Sequence, residues 1–89
     1  MENSIPTDRK VEIAQALIER AVRISDNTDH DVFIEWSPHV NSLYVRFCRD
    51  GWAVGKPYTG LDIDFDLEAD TEGGLANVNT ILDSLEGDK

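Results

Sequence analysis

The 89-residue chain has one cysteine, Cys48, so it can build no internal disulfide framework, and this fits a reducing compartment. No apolar run approaches the ~18 residues of a membrane span. The opening Met-Glu-Asn-Ser-Ile-Pro has neither the basic nor the apolar region of a signal peptide. A cytoplasmic protein without a membrane partner is expected. Positive charge is equally scarce: 8 Lys and Arg against 18 Asp and Glu give a formal net charge of -10. That balance argues against direct binding to DNA or RNA, which requires basic side chains to neutralise phosphate, and it permits binding to a basic protein.

Catalytic groups are few. His30, His39 and Cys48 are the only imidazoles and thiol, and they show no HExxH or paired-cysteine spacing. His30 reads as a polar residue at a strand entrance, His39 as a loop residue after Pro38, and Cys48 as a small strand residue. No glycine-rich phosphate loop precedes a helix, because Gly73-Gly74 follows acids that would repel a phosphate. The chain is therefore expected to be no enzyme, with no catalytic residue, metal ligand or cofactor.

What the chain does have is a carboxylate at every second position: Asp62, Asp64, Asp66, Glu68, Asp70 and Glu72. Leu61, Ile63, Phe65 and Leu67 fill the alternate places, so 61–67 reads as a half-buried strand with one acidic face. Same-face neighbours on a strand stand roughly 6.7 Å apart and still repel by about 0.6 kcal/mol per pair in water before salt screening. Solubility alone could have been met with interspersed lysines. Yet Pro57 to Asp88 carries nine acidic residues and no Lys or Arg, whereas residues 1–56 carry nine acidic and seven basic. The charge is localised and points to a basic partner. An EF-hand reading of the Asp-x-Asp-x-Asp run fails: the sixth position is Leu67 instead of Gly, and the twelfth is Gly73 instead of Glu. Six exposed carboxylates also lack the contrasting environments that separate an acid from a base in glycosidases.

Around this ladder the apolar periodicity gives the layout. Residues 8–24 read as an amphipathic helix with Val11, Ala14, Leu17, Ile18, Ala21 and Ile24 on its buried stripe, capped by Thr7 or Asp8 and stopped by the polar run from Ser25 to Asp29. Glu19 and Arg23 form an i, i+4 pair. Val32, Ile34 and Trp36, then Leu43, Val45 and Phe47, alternate as the inward residues of two antiparallel strands joined by 37–41, with Glu35 across from Arg46 or Tyr44. Asp50-Gly51 signals a turn. Residues 52–60 read either as a short hairpin strand or as an irregular loop, the latter favoured, leading into the third strand. Gly73-Gly74 ends the ladder, and Leu75, Val78, Ile81, Leu82 and Leu85 resume a helical period up to a Gly87 cap. The expected fold is α+β: one domain over 1–89, as helix, three-stranded antiparallel sheet, helix, with loose termini at 1–6 and 87–89.

Trp36 is in phase with the core. Trp52 and Tyr58 flank the loop without such phase; a loop tryptophan commonly packs back on its own domain, and an exposed one beside the acidic strand would anchor an interface. The expected partner-binding set is the six ladder carboxylates with Trp52, Tyr58 and Glu35. Arg46 and Arg49 would be rim or intramolecular partners.

Three functions suit these features: an inhibitor that imitates nucleic-acid charge in a basic groove, an acidic immunity-type antitoxin, or an interaction domain with a solvated acidic face. For the first, the ladder alone is sparse. Duplex DNA carries one charge per ~1.7 Å, so further acids from Asp29, Asp31, Glu35, Asp83, Glu86 or Asp88 would have to share its face. In size, acidity and element order the chain resembles the small phage-encoded anti-CRISPR proteins, a likeness of layout and charge over the whole chain that rests on no motif. The resemblance implies a nucleic-acid-binding effector, such as a CRISPR nuclease, as partner in the host cytoplasm.

Overall fold

The computed structural model describes residues 5–87. Helix α1 (Thr7–Asn27) starts one residue earlier than expected, because Pro6, in extended conformation, is its N-cap and makes no side-chain cap hydrogen bond. The Pro6 carbonyl accepts from the Arg9 and Lys10 amides at 3.1 and 3.2 Å. Asp8 lies in the first turn, where its charge suits the positive end of the helix dipole. The polar run from Ser25 does not stop the helix. It ends at Thr28, whose amide and hydroxyl both donate to the Ile24 carbonyl, at 2.9 and 2.7 Å, and satisfy an end-of-helix acceptor.

The buried stripe of α1 is Ile13, Leu17, Ala21 and Ile24. Val11 and Ile18, expected inside, are about half exposed. Both sets have helical spacing, and the face that meets the sheet is set by tertiary packing.

Strands β1 (Asp31–Ser37), β2 (Ser42–Cys48) and β3 (Thr59–Asp64) form an antiparallel sheet in the order β1-β2-β3, and helix α2 (Glu68–Gly87) follows. The register Val32↔Phe47, Ile34↔Val45 and Trp36↔Leu43 continues as Val45↔Leu61 and Leu43↔Ile63, so these side chains share one face. Both helices cover that face, α1 against β1 and α2 against β3. Val45, Ile63, Phe65, Val78 and Leu82 are wholly buried between the layers. Trp36 is on the right face but lies at its edge and stays 48% exposed. Ile5, expected in a loose terminus, is buried and joins the core. Between β2 and β3, Asp50 and Gly51 both take positive φ, 64° and 97°, as the turn signal requires.

The ladder is where the structure departs most from the strand period. β3 begins at Thr59, not Leu61, and ends at Asp64, not Leu67, and α2 begins at Glu68 and runs through Gly73 and Gly74. Three interactions explain the switch. The Asp64 carboxylate accepts from the Asp66 amide at 2.8 Å, which turns the chain. Thr71, fully buried, donates its hydroxyl to the Asp64 carbonyl at 2.7 Å. Gly74 lies so close to β3 that a Cβ would stand 3.0 Å from the Asp62 carbonyl oxygen and 3.2 Å from the Ile63 Cα. The two glycines thus belong to the helix, and Gly74 sets its distance from the sheet. Phe65 remains in the core beyond the strand end, its amide bonded to the Asn41 carbonyl at 3.0 Å. Leu67, expected inside, is 46% exposed. Gly87 is the last residue of α2; the position its cap would serve lies outside the described residues. No described helix is long and apolar enough to cross a membrane.

Candidate functional site

The face of the sheet away from the helices carries the alternate side chains, and the register orders them in rows. Glu35 of β1 lies opposite Tyr44 of β2, which lies opposite Asp62 of β3. This row brings Glu35 and Asp62, far apart in sequence, to either side of one phenol. The next row is Phe33, Arg46 and Gly60. The Arg46 guanidinium lies 4.8 Å from the Phe33 ring centre and 5.2 Å from that of Tyr58, between two negative π faces. Its Nε is buried with no hydrogen-bond partner, so the rings provide the immediate environment of that part of the cation. The Tyr44 ring lies over Gly60, where a Cβ would collide with the Tyr44 hydroxyl. Loss of solvent contact, a hydrogen bond with Tyr58 and the charge of Asp62 push the Tyr44 phenol above its ordinary value, and Arg46 opposes them.

The six ladder carboxylates form no single row. Asp62 and Asp64 share the open face of β3, and Asp66 sits in the turn, where it accepts from the Asn41 side-chain amide at 3.0 Å. Glu68, Asp70 and Glu72 occupy the first turn of α2 and just beyond, and there the angular step is about 100° per residue. Glu68 and Glu72 therefore share a side of the helix, while Asp70 points about 200° round from Glu68. All but the half-buried Asp64 are exposed. Among the described residues no lysine, arginine or histidine forms an ion pair with any of the six. The ion-paired carboxylates are elsewhere: Glu19 with Arg23, and Asp83 and Glu86 with Arg20.

Arg20 spans the two helices, reaching Asp83 at 2.7 Å, Glu86 at 2.6 Å and Asn79 at 2.8 Å. Asp83 and Glu86 are thus engaged in fixing α2 to α1. The Arg20 guanidinium is raised above its ordinary value, foremost by the hydrogen bond to Glu86.

Trp52 is exposed, not packed back, and its amide donates to the Asp31 carboxylate oxygen Oδ2 at 2.8 Å. That bond fixes Trp52 at the end of the sheet where β1 begins. Asp64 pairs at the opposite end, with Ser42 and through it Ser37, about 20 Å away along the strands. The structure therefore brings Tyr58, Glu35 and Asp62 together and leaves Trp52 apart from Asp64 and Asp66. Phe33, Tyr44 and Arg46 were not in the expected set. Strand alternation puts them on the face of Glu35 and Asp62, and that parity is the signal that could have found them.

His30 is buried and accepts the Asp50 amide on Nδ1 at 2.8 Å, a structural task at the turn. No three described His, Cys, Asp or Glu side chains come together as metal ligands. Asp62 to Asp66 leave an extended strand and enter a helix, with no loop wrapped around an ion. No protein family, curated protein or solved structure matches this chain.

Proposed function

We propose that the chain is a binding inhibitor that offers the acidic flank formed by β3 and the start of α2 to the basic nucleic-acid groove of a partner protein, as anti-CRISPR charge mimics do. The observation that carries this reading is that, among the described residues, the ladder carboxylates project from the β3–α2 junction with no ion-pair partner, whereas Glu19 of α1 and Asp83 and Glu86 near the end of α2 are ion-paired. A flank left unneutralised in the free protein raises the encounter rate with a basic surface and offers acceptors for charge-assisted hydrogen bonds.

The dimensions limit the mimicry. The long extent of 41 Å equals about 12 base pairs of duplex, which carry about 24 phosphates, against 18 acids and a net charge of -10 here. The flank substitutes for a short phosphate patch and not for a full duplex. Asp62, Asp64 and Asp66 at the strand end, with Glu68 and Glu72 on one side of α2, form that patch; Asp70 points elsewhere. Tyr58, Glu35 and the stacked Arg46 border it on the open sheet face.

The test is capture from a host lysate at low and high salt, using the parent and the Asp62→Asn/Asp64→Asn/Asp66→Asn variant. Asn keeps the acceptor oxygens that Asp64 and Asp66 use in the turn, so the fold survives while three charges go. The expected result is a nucleic-acid-binding protein retained at low salt, released at high salt and lost with the variant. Retention by the variant equal to the parent would overturn the proposal.

A further inference from the structure

Helix α1 has a second apolar stripe that its own sheet does not use. Val11, Ile18 and Val22 are each about half exposed, and with the exposed Gln15 they follow the spacing 4-3-4. That is the 3.5-residue repeat of a two-helix seam, separate from the Ile13, Leu17, Ala21 and Ile24 stripe that enters the core. Beside this ridge runs a groove of about 510 Å³ whose walls include Ala14, Trp36, Leu43 and Phe65. One flank of α1 is tied to α2 through Arg20; the flank with the ridge, groove and half-exposed Trp36 has no covering element among the described residues.

We propose that a second copy of this chain covers this edge, α1 against α1 in parallel, as a homodimer. Three observations select a second copy. First, Gln15 occupies a seam position that would be buried, and a buried amide needs a hydrogen-bonding partner; the Gln15 of a second copy, at the same level, supplies it, in the way a polar seam residue fixes register in coiled coils. Second, the seam is bordered by Ala14 on one side, with Ala21 beyond it already buried in the chain's own core, and by Glu12 and Glu19 on the other. Parallel two-fold pairing sets each carboxylate side against the partner's alanine side and avoids abutting like charges. Third, two chains of net charge -10 can approach only where charge is balanced. Residues 1–56, which supply all of this edge but Phe65, carry nine acids against seven bases, while most of the unbalanced acids among residues 57–87 sit on β3 and α2 toward the other edge of the sheet, where salt screens them over a Debye length of ~8 Å. From Val11 to Val22 the ridge is about 17 Å long, a short contact, so the dimer is concentration-dependent.

The inference is independent of the acidic flank. Sedimentation equilibrium of the full chain from ~1 μM to ~1 mM is expected to show monomer giving way to dimer, with association tighter as salt rises because the mutual repulsion is screened. Ile18→Lys and, separately, Val22→Lys are expected to weaken association at least tenfold while leaving the circular dichroism melt of the monomer unchanged, since both positions are half exposed. Under mild oxidation Gln15→Cys is expected to form a disulfide-linked dimer; the buried Cys48 does not compete. A monomer throughout the range, or a dimer that neither lysine variant weakens, overturns the proposal. A dimer that dissociates with Ile18→Lys but does not cross-link through Gln15→Cys overturns the parallel arrangement.

Discussion

The hydroxyl of Thr71, in the first turn of α2, donates a 2.7 Å hydrogen bond to the carbonyl of Asp64, the last residue of β3. It also lies 3.1 Å from the Leu67 carbonyl, within its own turn. A buried side chain thus ties the strand end to the helix start, and the acidic run bends there. Thr71→Val keeps the shape and removes the donor. It is expected to cost about 1–2 kcal/mol, because the Asp64 carbonyl loses a partner in a dry site. Urea melts measure it, and a change below a few tenths would mean that another group replaces the hydroxyl.

The two adjacent glycines of α2 should respond in opposite directions to the same substitution. Around Gly73 nothing lies within reach of a Cβ, so Gly73→Ala gains up to about 1 kcal/mol of helix propensity. At Gly74 the same methyl meets β3 backbone, which cannot swing away, and overpacking of about 1–3 kcal/mol outweighs that gain. Thermal melts of the two variants should therefore move apart, Gly73→Ala up and Gly74→Ala down.

Phe65 and Leu67 have the same parity in the ladder and opposite environments. Phe65→Asp puts a carboxylate in the centre of the core and is expected to cost at least about 3 kcal/mol, enough to unfold a small domain. Leu67→Asp is expected to stay within about 1 kcal/mol of the parent, as surface changes do. Equal damage from both would show that the strand continues through 67.

Replacing Arg20 with Met removes its bonds to Asp83, Glu86 and Asn79 but keeps much of the aliphatic stem. Asp83 and Glu86 are solvent-exposed to differing degrees, so the expected loss is only about 1 kcal/mol. The difference between parent and variant should shrink at high salt, where the exposed pairs are screened.

Tyr44 offers a spectroscopic probe of the open sheet face. Its phenol is held above the usual value by lost solvation first, then by Tyr58 and Asp62. Because the folded state holds this proton more tightly, the associated stability is complete below the ordinary tyrosine value of about 10 and is lost as pH rises through the folded value. In Tyr58→Phe, Tyr44 is the one remaining tyrosine, so ultraviolet titration reads it directly. The expected titration is lower than that of Tyr44 in the parent, since the hydrogen bond has gone, and an unchanged value would exclude the Tyr58 contact as a cause.

The element order, strand pairing and most of the inward residues were legible because alternation and helical spacing are local signals. Leu43, Val45, Phe47 and Ile63 face the core as their parity requires. The ladder misled because alternation at 61–65 and the acids at 66–72 look continuous in one dimension. The switch depends on a buried threonine and on a glycine touching a strand, both of which are tertiary facts. In α1, two apolar stripes compete, and Trp36 has the right phase but lies at the sheet margin. At the candidate site, the parity that put Asp62 outward also placed Tyr44 and Arg46 outward, but their company with Glu35 required the register.

Among the described residues β3 pairs with β2 on one side only, and its other margin is covered just in part, by Thr71 and Gly74 of α2 at the Asp64 and Asp62 carbonyls. Such a margin is a template for aggregation unless something spoils it. If β3 segments stacked in register at the ~4.8 Å spacing of a fibril, Asp62 would face Asp62 and Asp64 would face Asp64, at about 0.9 kcal/mol of repulsion each even in water. Every added layer would repeat that cost. The carboxylates proposed to engage a basic partner would therefore also act as gatekeepers, keeping a short edge strand from polymerising.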